Sequence, residues 1–220
     1  NVRIWNASNG KTISTYPGDP GFKRSDARVL AWSSDGRLLV VGGSKYLHIW
    51  DTDAGRLLTK LRGGFSALCK ALAWAPNAHV FAAALGNKVI VCILDARPST
   101  VYYRYSEPVS AVAGSPDGKY MACGGYDRVV HVWNVRTDRL VGMYRSHIQP
   151  ITAISWAPDS RRIVSGSFSD HLNVWDALTG VDIASYHAHA GSVLTVAWSP
   201  DGRSIISGGS DRRVCIWMAP

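Results

Sequence analysis

The sequence predicts an all-β chain made of repeated four-stranded antiparallel sheets, and three observations carry that prediction. Related segments recur five times: "VLAWSSDGRLL" from Val29, "ALAWAPNAHVF" from Ala71, "AVAGSPDGKYM" from Ala111, "AISWAPDSRRI" from Ala153 and "TVAWSPDGRSI" from Thr195. A second motif, alternating apolar residues followed by Trp and a polar residue, ends at Trp5, Trp50, Trp133, Trp175 and Trp217, with Leu94 of "VCILD" in the missing place. These anchors are spaced by 45, 44, 39, 42 and 42 residues. Finally, no segment keeps a helical period for three turns, and 15 of the 16 acidic residues are Asp, so helix-favouring Glu is nearly absent.

The elements follow in order within each repeat. A first strand ends at or near the "AW" of the first motif. "SPDG" or "APDS" then reverses the chain, with Pro at the second turn position and Asp at the third. A second strand runs into a turn carrying Asp, and a third strand alternates apolar and polar residues up to the Trp, as in Val130 and Val132 against His131 and Trp133. "NASNG", "DTDAG" and "DALTG" make a further reversal, and runs such as "RLLTKL" and "YYRY" supply the fourth strand. Four strands in about 42 residues, repeated, is the pattern of propeller blades, in which each sheet buries its faces against its neighbours.

With 220 residues, 46% hydrophobic and 18% charged, the chain can bury a substantial core. No apolar run approaches the roughly 18 to 20 residues that cross a bilayer, and "NVRIWNASNG" lacks the layout of a signal peptide. Membrane insertion is not expected. Cys69, Cys92, Cys123 and Cys215 are far apart among apolar residues, which reads as buried thiols and favours a reducing, cytoplasmic setting.

The two motifs in phase resemble the WD40 repeat family over essentially the whole chain. The resemblance implies a β-propeller forming part of a single domain over 1–220, with repeats at 1–24, 25–66, 67–106, 107–148, 149–190 and 191–220, the first and last partial. A usual ring of about seven blades needs roughly 290 residues, so an excerpt of a larger ring is the expectation. The regular copies and the Arg-rich, Ala-rich composition suggest a bacterial array.

His189, Ser207 and Asp211 near Trp217 invite a hydrolase reading. In the WD40 proteins that this chain resembles, such positions form a structural chain of hydrogen bonds from Trp through Ser and His to Asp. The set recurs with decay as His147, Ser165 and Trp175, with Ser169 in the aspartate place and Asp170 displaced by one residue. The repeat before that keeps Asp127 and Trp133 but has Cys123 for Ser and no His. A structural network recurs in this way and a catalytic set does not, and no Gly-x-Ser-x-Gly elbow is present. No enzyme activity and no cofactor are expected. His187 and His189 have alternate spacing but no third ligand at metal-site spacing in the sequence, so no metal is assigned.

Function is expected on the loop face, as a protein-interaction scaffold within a larger polypeptide or complex. The family resemblance points to the residue before each turn Asp, giving Tyr126, Phe168 and Ser210, and to the residue four before each first-strand Trp, giving Arg28, Lys70, Ser110, Thr152 and Leu194. Tyr126 and Phe168 read as exposed anchors beside basic residues, suited to a protein or peptide with acidic and apolar groups. A formal charge of +8 also allows nucleic acid or another anionic ligand, and "VYYRYSEP" interleaves aromatic and basic side chains as single-strand binders do. The basic residues are otherwise scattered, and that segment also suits an outer strand.

Overall fold

Tight turns at regular intervals fold this chain back on itself, so that strands adjacent in sequence are adjacent in space. A computed structural model describes residues 2–16, 27–44, 46–62, 68–76, 80–94, 99–187 and 189–220. Among them are six sheets, antiparallel at every pairing. The first holds β1 (Val2–Trp5) and β2 (Thr12–Tyr16). The second holds β3 (Val29–Trp32), β4 (Leu38–Gly42), β5 (Tyr46–Asp51) and β6 (Arg56–Arg62). The third holds β7 (Cys69–Trp74), β8 (Val80–Leu85), β9 (Lys88–Ile93) and β10 (Ser99–Arg104). The fourth holds β11 (Val109–Gly114), β12 (Tyr120–Gly125), β13 (Val130–Asn134) and β14 (Arg139–Tyr144). The fifth holds β15 (Ile151–Trp156), β16 (Arg162–Ser167), β17 (His171–Asp176) and β18 (Asp182–His187), and the last holds β19 (Val193–Trp198), β20 (Ser204–Gly209) and β21 (Val214–Met218).

The first reversal shares one design in the second, fourth and last sheets. Ser115 Oγ donates to Asp117 Oδ1 at 2.6 Å and accepts the Tyr120 N–H at 2.9 Å, and Ser199 does the same with Asp201 and Ser204. The turn then needs a left-handed residue, which is glycine at Gly36, Gly118 and Gly202, with φ of 72°, 71° and 72°. Ser160 occupies that place in the fifth sheet with φ 57°, and its hydroxyl accepts the Asp117 N–H from the neighbouring turn at 2.9 Å. In the second and fifth sheets, the reversal after the Trp uses an aspartate: Asp51 and Asp176 each accept two backbone N–H groups of the turn that follows.

Consecutive sheets stack face to face, and their first strands lie side by side, β3 on β7, β7 on β11, β11 on β15 and β15 on β19. The core is therefore divided into layers between sheets. Val130, Val132 and Tyr144 of the fourth sheet meet Ile151, Ile163 and Trp175 of the fifth, all fully buried. Leu172 and Val174 on the fifth sheet meet Val193, Trp198 and Ile205 on the last. One buried aliphatic side chain is worth about 1.5–3 kcal/mol against about 0–1 for an exposed ion pair, so these layers dominate the stability. This is the β-propeller architecture. The third sheet forms although its anchor is Leu94, which packs partly buried against the layer between the second and third sheets.

First-strand tryptophans also tie sheet to sheet: Trp74 Nε1 donates to the Ala31 carbonyl at 2.9 Å, and Trp156 Nε1 donates to that of Ala113 at 3.1 Å. Cys69, Cys92, Cys123 and Cys215 are all thiols, the first three buried. Burial pushes Cys69 and Cys123 up to about 12, so neither forms a reactive thiolate near neutral pH.

Candidate functional site

The Ser, His and Asp of the last sheet meet, but inside the sheet. Trp217 Nε1 donates to Ser207 Oγ at 3.0 Å, His189 Nε2 lies 2.9 Å from the same oxygen, and His189 Nδ1 lies 3.0 Å from Asp211 Oδ1. A carboxylate only accepts, so the imidazole proton sits on Nδ1 and Nε2 accepts from the serine hydroxyl. Burial pushes the Asp211 carboxyl up, but the N–H groups of Arg213 and Ala190 and the His189 ring outweigh it and hold the group below the usual range. Ser207 is 1% exposed, and its oxygen is already engaged on two sides. No substrate can approach it as this arrangement stands.

In the fifth sheet Trp175 Nε1 donates to Ser165 Oγ at 3.0 Å, and His147 Nε2 lies 2.7 Å from that oxygen. Ser169 bonds Ser167 at 2.8 Å, and Asp170 turns away to His171. The fourth sheet departs from the sequence-based expectation of a network with no third member. Tyr105 stands 42 residues before His147, as His147 stands 42 before His189, and its hydroxyl fills the histidine position. Trp133 Nε1 donates to Tyr105 Oη at 2.8 Å, and that oxygen lies 2.8 Å from Cys123 Sγ. Asp127 then takes a different partner, His131 at 2.9 Å. The missed signal was the spacing, since Tyr and His both place a polar atom at the end of a ring.

The loop-face residues converge on one rim. The N–H groups of Tyr126, Phe168 and Ser210 donate to the carbonyls of Pro108, Pro150 and Ser192, each at 2.9 Å, which pins the turn after the second strand against the entry to the first in the fourth, fifth and last sheets. Lys70, Ser110, Thr152 and Leu194 share a second feature: each is the extra residue of a β-bulge, between Cys69 and Ala71, Val109 and Ala111, Ile151 and Ala153, and Val193 and Thr195. A bulge leaves its extra residue out of the ladder and re-aims its side chain. Lys70 and Leu194 point to solvent, whereas the hydroxyls of Ser110 and Thr152 donate to Ile151 O and Val193 O of the next sheet. Thr152 is thereby committed to an intersheet bond. Arg28 is exposed just before β3.

Tyr126 and Phe168 are 49% and 44% exposed, and their rings meet edge to face across two sheets with centroids 6.3 Å apart. Ile148 beside them is 75% exposed, and the Arg128 guanidinium lies 3.5 Å from its carbonyl. By contrast, two tyrosines of the aromatic run near Arg104 turn inward: Tyr103 is buried with its hydroxyl on Asp138, and Tyr105 belongs to the network above. Neither offers a face to a nucleobase.

Among known proteins, the WD40 family (WD domain, G-beta repeat) matches residues 10–51, 97–134, 138–176 and 180–218, more than half of the chain. The last three matches begin on the outer strand of one sheet and run through three strands of the next. The chain is 31% identical over 140 residues to "Cell division cycle 20.5, cofactor of APC complex" of Arabidopsis thaliana, covering 62% of this chain and 30% of that protein. It is 32% identical over 144 residues to "WD repeat-containing protein slp1" of Schizosaccharomyces pombe, covering 62% and 28%. The chain thus spans about three tenths of the length of these relatives. Both are eukaryotic, which does not support the bacterial reading. A structure titled "Crystal Structure of Mitotic Checkpoint Complex" superposes with a TM-score of 0.74 at 22% identity, covering 99% of this chain and 81% of that one, and so shares the fold. On the matched repeats and the stacked sheets together, the chain belongs to the WD40 repeat family.

Proposed function

We propose that this chain is a non-catalytic protein-interaction module that works within a larger polypeptide or complex and receives a protein segment on the rim described above. The observation that carries this reading is the exposed Tyr126–Phe168 pair, two aromatic rings held by backbone bonds on adjacent sheets. Rigid aromatics of this kind give large contact area at little entropic cost, and they dominate binding energy where they occur. Ile148 and Leu194 add exposed apolar side chains, and Arg28, Lys70 and Arg128 add exposed positive charge from the second, third and fourth sheets, which suits a partner segment carrying apolar and acidic groups. Relatives described as cofactors of a complex support the adaptor role. The thiols fit work in a reducing compartment, the cytoplasm.

The test is comparative affinity purification and mass spectrometry with the full-length protein, wild type against Tyr126→Ala/Phe168→Ala, followed by direct binding of each recovered partner. The double variant is expected to weaken its partner by roughly 2 kcal/mol or more, about thirtyfold, with folding unchanged. Unchanged affinity for every partner would overturn the assignment of the rim.

A further inference from the structure

One polar cluster on the fifth sheet is not used by the buried network. In the fourth and last sheets the turn before the third strand reads Asp127-Arg128 and Asp211-Arg212, with the arginine left-handed at φ 66° in both. In the fifth sheet the corresponding pair is Ser169-Asp170, and the one-residue displacement carries the carboxylate outward. There it meets two imidazoles. His171 on β17 stands directly opposite His187 on β18, and their ring centroids are 3.5 Å apart. The Asp170 carboxylate reaches both, with Oδ1 2.6 Å from His171 Nδ1 and Oδ2 3.5 Å from His187 Nδ1. Three donor atoms, one from each residue, lie within 4.8 Å of one another.

We propose that Asp170, His171 and His187 form a binding site for a borderline divalent transition-metal ion of the zinc class. Two imidazole nitrogens and one carboxylate oxygen match such ions better than the hard ions calcium and magnesium, which take oxygen donors. A tetrahedral zinc ion about 2.0–2.1 Å from each ligand holds the ligand atoms about 3.3 Å apart. The two imidazoles now meet different oxygens of the carboxylate, Oδ1 at 2.6 Å from His171 Nδ1 and Oδ2 at 3.5 Å from His187 Nδ1, so the carboxylate turns to present one oxygen to the ion and the three donor atoms, already within 4.8 Å of one another, adjust to that value. On binding, each imidazole takes the neutral tautomer with its proton on Nε2, so that Nδ1 presents its lone pair to the ion, and any second ring proton passes to solvent. The histidines sit on paired strands, so the ladder fixes their separation before the ion arrives. The side chains of Asp170, His171 and His187 are 45%, 36% and 75% exposed, leaving the remaining coordination position open to water or to a ligand from another protein. The site is distinct from the pair His187 and His189, because His189 is held in the buried network by Ser207 and Asp211.

The experiment is titration of the tag-free chain with Co²⁺, followed by visible absorption, and with Zn²⁺, followed by calorimetry and by displacement of bound Co²⁺. The expected result is one equivalent of saturable binding in the micromolar range, weakened roughly tenfold or more in His187→Gln and in Asp170→Asn, and unchanged in His131→Gln, which alters the close His–Asp pair of the fourth sheet. His187 is exposed, so its substitution leaves the fold intact, and circular dichroism checks this. Absence of saturable binding below about millimolar metal, or equal affinity in folded His187→Gln and Asp170→Asn, would overturn the assignment.

Discussion

At the scale of single residues, the network repeats a geometry rather than a set of residue types. Ser165 and Ser207 each gather a tryptophan N–H and a histidine nitrogen, and Tyr105 performs the gathering in the fourth sheet with a phenol oxygen. The histidines, serines and tryptophans were legible in the sequence because their spacing is constant. The Tyr105 substitution was passed over although it keeps that same spacing, because a search for histidine skips a tyrosine in the histidine place. His147 gives this scale its prediction. Burial pushes its imidazole down to about 4, reinforced by nearby His171 and opposed by Asp182. The folded value lies below the ordinary 6.5, so the unfolded chain takes up the proton first. The stability linked to His147 is complete above about 6.5 and is lost as pH falls toward 4, by on the order of 2–3 kcal/mol. Urea unfolding between pH 7 and 4 should show that loss in the wild type and a shallower one in His147→Gln.

At the scale of elements, the turns were the most legible part of the chain, because Pro, Asp and Gly each act locally. Gly36, Gly118 and Gly202 take positive φ where the sequence reads "SDG" or "PDG". Gly202→Ala is therefore expected to cost about 1 kcal/mol through the backbone alone, since the added Cβ meets only the Pro158 ring, at an ordinary 3.6 and 3.7 Å. Chemical denaturation measures it. At Ser160 the reverse change to glycine is expected to gain less, because the serine hydroxyl accepts the Asp117 N–H across two turns. The bulges at Lys70, Ser110, Thr152 and Leu194 were not legible as bulges, because one extra residue in a strand leaves no compositional mark. Their consequence is functional: two of these residues face solvent and two join sheets, although all four fall at the same place in the repeat.

At the scale of the whole molecule, the repeat announced the stacked sheets, but a period cannot say which faces meet solvent. On the last sheet Val214, Ile216 and Met218 are exposed along the edge strand β21, and Ile206 beside them is exposed as well. Among the described residues β21 pairs with β20 alone, whereas β13 and β17 each carry a further strand on that side. The matched family repeats start on the outer strand of one sheet and finish on the third strand of the next, as residues 138–176 do from β14 to β17. Cut out that stretch, and β13 is followed by β18, which can take the place of β14 as the fourth strand beside it. Gene duplication or unequal recombination can therefore lengthen or shorten such an array by whole units while leaving no sheet short of a strand, so copy number is free to vary where register is not.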